Sequence, residues 1–193
     1  MGHLGRQRHL PHMTGLVVQD APRMASTVRL AAEGDEAAFT RLVTEHRESM
    51  ARVAFVICGD AEATRDAVQS AWSIAWRRLP TLRDPDQVRP WLVAIAANEA
   101  RQLVRAQRRR PVVDISETMP SDDRTDPAGL IALVDLQRAL ADLKPDDRRL
   151  LALRFVAGMD STEIARHTGL SASGVRSRLA RVIDRLRTDI DHG

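Results

Sequence analysis

Apolar residues return every three or four positions along most of this 193-residue chain, and no stretch of useful length alternates with a period of two. The longest run is Phe39, Leu42, Val43, His46, Met50, Val53, Ala54 and Ile57, which predicts a core helix over about residues 35–57, ended by Gly59. A short helical segment at 27–33 leads into it. Asp60 can cap a following helix at about 61–79, whose inward set is Ala67, Val68, Ala71, Trp72, Ala75 and Trp76. Pro80 and Pro85 make 80–87 a loop. The next helix, about 88–108, turns Trp91, Leu92, Ile95, Ala96 and Leu103 or Val104 inward. All three tryptophans lie in these stripes, so they are expected in the core and not as wedges between bases.

The pattern stops at 111–130, where Asp114, Glu117, Asp122, Asp123 and Asp126 outweigh Arg124 and three prolines interrupt any helix. Such a stretch buries too little to offset its ordering entropy and is expected to be a flexible acidic linker. Helical periodicity resumes at 131–143, breaks at Lys144-Pro145, and continues at 146–157.

Residues 160–187 then carry a helix-turn-helix signature. Asp160 and Glu163 have the spacing of a capping box, Gly169 suits the left-handed residue past a helix end, and Ser171 can cap a second helix. Small Ala165 permits the close crossing of the two helices. Val175, Leu179, Val182, Ile183 and Leu186 form the second helix's apolar stripe; Ser173, Ser177, Ala180 and Arg181 lie opposite, with Arg176, Arg178, Arg185 and Arg187 on the flanks. Over 161–188 six arginines stand against Glu163 and Asp184, in a chain whose net charge is only +3. A second basic surface lies at 88–110, where six arginines oppose Glu99. Positive charge on helical faces is what phosphate contacts require.

Composition narrows the alternatives. Apolar residues are 44%, charged 28% and aromatic 3%, which is the balance of a soluble globular protein. Every cation except Lys144 is arginine, which suits bidentate phosphate and guanine contacts. Cys58 is the only cysteine, so neither an internal disulfide nor a zinc-finger spacing exists. No apolar run has the length of a membrane span and no signal peptide is evident, so a cytoplasmic location is expected. Residues 1–25 are expected to be a disordered extension, with Met13 or Met24 as alternative starts. There is no P-loop, no ordered Ser-His-Asp set and no histidine pair with metal spacing, so no enzyme and no cofactor are expected.

An all-α chain of two small helical domains, at 26–110 and 131–190, joined by an acidic linker and ending in a helix-turn-helix, resembles the bacterial sigma factors of the extracytoplasmic-function group. The motifs that carry the resemblance are Arg65-Asp66-Ala67-Val68-Gln69-Ser70-Ala71-Trp72 followed by Ala75-Trp76, Trp91-Leu92-Val93-Ala94-Ile95-Ala96-Ala97-Asn98 followed by Arg105 and Arg108 to Arg110, Leu143-Lys144-Pro145 through Arg148, Leu151 and Leu153, then Glu163-Ile164-Ala165 and Val175-Arg176-Ser177-Arg178-Leu179. The first two look like region 2 of that family and the rest like region 4.

The resemblance implies a factor that binds core RNA polymerase, recognises promoters and serves a stress- or signal-responsive regulon. Asp66 and Gln69 would meet the clamp helices of the polymerase β′ subunit; Asp66 could instead form an ordinary helix-surface pair with Arg65 or a neighbouring turn. The second domain would meet the β flap. For the -10 element the implied residues are Arg83, Asn98, Arg101, Arg105, Arg108 and Arg109: Asn98 offering its amide to a base edge, the arginines holding phosphates. Asn98 could instead satisfy a loop backbone. For the -35 element they are Ser173, Arg176, Ser177, Arg178 and Arg181, with Arg178 also a candidate for the core rim. Such factors commonly meet an anti-sigma factor between their domains. Gln102, the Ser173-Gly174-Val175 triplet and the N-terminal extension depart from the usual pattern and leave the promoter sequence open. A rival reading, an operator-binding regulator of the response-regulator type, would require alternating β and α segments in the N-terminal half.

Overall fold

A computed structural model describes residues 20–108 and 138–191, and every regular element among them is helical. The linker at 111–130, Arg109 and most of the N-terminal extension lie outside the described residues. The N-terminal half holds α1 (Asp20–Ala32), α2 (Glu36–Cys58), α3 (Ala61–Arg78) and α4 (Val88–Gln107), with short 3-10 turns at Leu79–Thr81 and Pro85–Gln87. The C-terminal half holds a short α5 at 138–142, α6 (Pro145–Leu151), α7 (Ser161–Thr168) and α8 (Ala172–Asp191).

Caps set the helix boundaries. The Asp35 carboxylate accepts the Ala38 amide at 2.7 Å to start α2, and Asp60 accepts the Ala63 amide at 2.7 Å to start α3. Between them Gly59, at φ 84°, turns the chain in the left-handed region while its N–H donates to the Phe55 carbonyl. α1 begins earlier than the sequence pattern predicts and reaches back into the stretch expected to be disordered. Its reason is tertiary: Val28 and Ala31 are buried, with Met24 packed against the same cluster.

α2, α3 and α4 form the first lobe's core. Alanines 67, 71 and 75 of α3 and 96, 97 and 100 of α4 are buried, and their small side chains let the helices approach closely around Leu42, Met50, Ile57 and Leu92. Each of those four larger side chains contributes roughly 1.5–3 kcal/mol by leaving water. The tryptophans lie less deep than the pattern predicts. Trp72 and Trp91 are half-buried, and Trp76 is 39% exposed, packed edge-on to Phe39 with ring centroids 4.8 Å apart. An indole is wider than the gap between alanine-lined helices, so it lies along the rim.

In the second lobe, α6 passes into a π-helical stretch, Ala152–Val156, marked by the Ala157 N–H donating to the Ala152 carbonyl five residues back. Leu150, Leu151 and Leu153 remain buried, whereas Phe155 is 64% exposed. The two lobes do not stand apart. Residues of both, from Leu42 and Val104 to Leu143, Leu153 and Val175, belong to one continuous buried cluster, with α6 and the π stretch packed on α2 and α4.

Candidate nucleic-acid interface

The helix-turn-helix is built by its polar ends. Asp160 Oδ1 accepts the amides of Thr162 at 2.7 Å and Glu163 at 2.8 Å, while Glu163 Oε2 accepts the Asp160 amide at 2.7 Å. The Glu163 amide bond, with that from Thr162, holds the Asp160 carboxyl below its ordinary range. Gly169 at φ 74° ends α7, and Ser171 Oγ accepts the Gly174 amide at 3.0 Å to start α8. Ile164 and Val175 are both buried in the same core cluster, which holds the two helices to the rest of the lobe.

On α8, Val175, Leu179 and Val182 are buried, so Ser173, Arg176, Ser177 and Arg181 face solvent. Arg181 Nε rests on the Ser177 carbonyl at 3.3 Å. Arg178 is placed differently: its Nε donates to Asp147 Oδ1 at 2.6 Å, across to the first turn of α6. Two further arginines tie the lobe together. Arg149 donates to the His167 carbonyl at 2.6 Å and Arg154 to the Met159 carbonyl at 3.0 Å. Burial, then Arg149 and Arg166, keep His167 below its ordinary pKa; burial and Arg101 bring Arg149 down to about 10.

α4 carries the second cationic row. Asn98, Arg101, Arg105 and Arg108 recur at three- and four-residue spacing and share one face. Asn98 is half-buried, its Oδ1 accepting from Arg101 Nη2 at 3.0 Å and its Nδ2 donating to Glu99 at 3.3 Å, with no bond to the 79–87 loop among the described residues. Arg101 pairs with Asp146 at 3.2 Å, and Arg105 approaches the same carboxylate at 4.0 Å. Arg108 donates to the carbonyls of Ala141 at 2.6 Å and Leu143 at 3.1 Å. Arg83 is exposed in the loop before α4. Beside this row a cleft of about 670 Å³ lies between the lobes, lined by Arg77, Arg78, Trp91, Asn98, Arg149 and His167 among others.

Asp66 and Gln69 are both exposed on α3, three residues apart on one face. Gln69 borders a groove of about 780 Å³ between α2 and α3 with Val43, Ala51, Val68 and Trp72. Among the described residues no group of three or more acidic, histidine or cysteine side chains is placed to hold a metal ion, and no helix is long and apolar enough to cross a membrane.

The sequence reading gave no role to Asp146, Asp147 and Arg149, and singled out Arg148 only as part of a motif. All four belong to a charged run that periodicity assigns to solvent, yet Asp147, Arg148 and Arg149 are buried. Pro145 followed by two acids marks the start of a helix and nothing more; their partners are 30 or more residues distant or on another helix.

Residues 42–110 match the family described as sigma-70 region 2, and residues 133–186 match sigma-70, region 4. RNA polymerase sigma factor NccH of Alcaligenes xylosoxydans xylosoxydans is 30% identical over 162 residues, covering 79% of this chain and 87% of NccH. A probable RNA polymerase sigma factor of Xanthomonas campestris pv. campestris, RfaY, is 33% identical over 168 residues; the match covers 83% of this chain but 42% of RfaY. Among solved structures, CnrH in complex with the cytosolic domain of CnrY superposes with a TM-score of 0.65 at 27% identity, covering 88% of this chain and 97% of CnrH.

Proposed function

The chain belongs to the sigma-70 family as an extracytoplasmic-function sigma factor, and from that premise we propose that it grips promoter DNA at two places, α8 reading the -35 element and α4 with the preceding loop reading the -10 element. The general task of the family, binding RNA polymerase and recognising a promoter, comes with that membership; catalysis belongs to the polymerase and not to this subunit. The observation that most supports the finer reading is the exposed polar face of α8. Arg176, Ser177 and Arg181 project from a helix whose opposite stripe is fixed in the core and whose start is set by the Ser171 cap. A helix so held can enter a major groove, where arginine donates bidentately to guanine.

Asn98 of α4 takes the base edge, and Arg101 and Arg105, with Arg108 at the helix end, Arg109 next in sequence and Arg83 in the loop, hold the strand's phosphates. Asp66 and Gln69 on α3 face the β′ clamp helices, beside a groove with an apolar floor, and the C-terminal lobe meets the β flap. The protein works in the cytoplasm with the polymerase, on a regulon that answers a stress or another signal. CnrH is seen in complex with another protein, the cytosolic domain of CnrY; for this chain the partner proposed is an anti-sigma factor.

The test adds the purified chain to bacterial core polymerase and maps the transcripts initiated genome-wide. The expected result is a limited set of start sites sharing two upstream elements, which Arg176→Ala depletes. Failure to direct core polymerase, together with repression or activation by the free protein at an operator, overturns the reading.

A further inference from the structure

Three arginines line the cleft between the lobes, and none of them is assigned to promoter DNA. Arg77 and Arg78 stand exposed in the last turn of α3, and Arg149 reaches the same space from α6, beside His167 of α7. Neither Arg77 nor Arg78 has an ion pair among the described residues. The dipole of α3 accounts for cations at its C-terminal end. It does not account for Arg149, which is 9% exposed. The Arg149 Nη2 donates to the neutral His167 carbonyl at 2.6 Å, while its Nε, shut off from solvent, has no hydrogen-bond partner among the described residues. Burial is the largest influence lowering its pKa to about 10, with Arg101 adding to it and Asp146 opposing. A buried guanidinium with no carboxylate bonded to it is costly, and an anion brought to it offsets that cost.

We infer that this cleft is a binding site for a small molecule carrying a diphosphate group, held between Arg77 and Arg78 of one lobe and Arg149 of the other. Among the lining residues three arginines stand against Glu99, a balance of +2. Glu99 is itself engaged along its own helix, accepting from Gln102 at 2.9 Å and from Asn98 at 3.3 Å. A volume of about 670 Å³ is of the size that holds small ligands, and walls that are chiefly polar suit a phosphorylated one. Guanidinium groups take phosphate oxygens in bidentate pairs. A diphosphate spreads its oxygens over two phosphorus atoms, so the two walls of the cleft can share it. The His167 ring, held neutral by burial and by Arg149 and Arg166, can add one N–H. Trp91 lines the same space and gives it an optical reporter. A ligand so placed touches both lobes, and its concentration adds to the stability of their packing.

The test titrates the full chain with inorganic pyrophosphate by calorimetry, with sulfate as a simple anion for comparison. Binding at one site is expected, at least about 10-fold tighter for pyrophosphate than for sulfate. Arg77→Gln/Arg78→Gln should weaken pyrophosphate about 10- to 100-fold, the loss of one or two charged hydrogen bonds. Arg41→Gln/Arg52→Gln makes the same change of charge at exposed positions of α2 outside the cleft and should leave affinity within about 2-fold. Arg149→Lys keeps the charge without the fork and should also weaken binding. Circular dichroism checks that each variant keeps its helices, and should Arg149→Lys not fold, the Arg77/Arg78 variant decides. Pyrophosphate should shift the tryptophan emission, and Trp91→Phe should remove the shift. Equal affinity for pyrophosphate and sulfate, an equal loss in the α2 control, or an emission shift that survives Trp91→Phe overturns the site. So does a chain that ignores pyrophosphate but binds fluorescent oligothymidine through Arg77 and Arg78, which would give these arginines to nucleic acid.

Discussion

Arg178 Nε lies 2.6 Å from Asp147 Oδ1, and that pair fastens the middle of α8 to the first turn of α6. The Asp147 side chain is 8% exposed and that of Arg178 30%, so removing the arginine leaves a carboxylate that water reaches poorly. Arg178→Ala is expected to destabilise the fold by about 1.5–3 kcal/mol, the range for a charged hydrogen bond. Urea denaturation would register this as a lower midpoint with an unchanged slope.

Arg176, two residues earlier, points to solvent and should behave in the opposite way. On a promoter defined by transcript mapping, Arg176→Ala is expected to cost about 1–3 kcal/mol of promoter discrimination. Its urea midpoint should match the wild type. Run-off transcription compared between the intact -35 element and one with substituted bases checks this, and a uniform loss on both templates would reassign Arg176 to phosphate contact.

Stability should fall on mild acidification. Burial holds both His46 and His167 below their ordinary value of 6.5; Arg89 adds to this at His46, and Arg149 and Arg166 at His167, against opposition from Glu45 and Glu163. In the unfolded chain each takes up a proton near pH 6.5, whereas in the folded chain it does so only at lower pH. Below about pH 6.5 the unfolded state therefore binds more protons, and stability decreases by up to about 1.4 kcal/mol per pH unit for each histidine. Above pH 7 these two groups contribute no slope. Thermal midpoints between pH 7.5 and 5.5 should decline more gently in a His46→Leu/His167→Gln variant.

Gly169 is a conformational requirement, since its φ of 74° lies in the left-handed region although a Cβ there would meet nothing within 4 Å. Gly169→Ala should cost about 1 kcal/mol and Gly169→Asn less, because asparagine tolerates that region better. Chemical denaturation of both variants measures the difference. Equal midpoints for alanine and wild type would show that the turn relaxes freely.

The helices were legible in the sequence because their causes are local. The spacing from Leu42 to Ile57, the caps at Asp35, Asp60 and Asp160, and the stops at Gly59 and Gly169 act within one or two turns. The exposed face of α8 follows from the stripe opposite it. The packing of one lobe on the other was not legible, because its contacts join residues such as Arg148 and Ile57, 91 positions apart, through a side chain whose charge normally signals solvent. The placement of Arg178 was half-legible: its angle on the helix put it at the core rim, but nothing local indicates Asp147 as its partner. Trp76 misled for a different reason. Periodicity gives the direction of a side chain and not the room available in that direction.

The π stretch after α6 inserts one residue into a helical path, and the register beyond it is offset by about 100° from that of an uninterrupted α-helix. Return of 152–156 to regular α-helical bonding with every residue retained would remove that offset and re-aim everything downstream, whereas loss of one residue together with the π turn would leave the downstream path in place. The orientation of α8 is thus set partly by chain length at a site remote from it, so a single deletion there should be tolerated better than a second insertion.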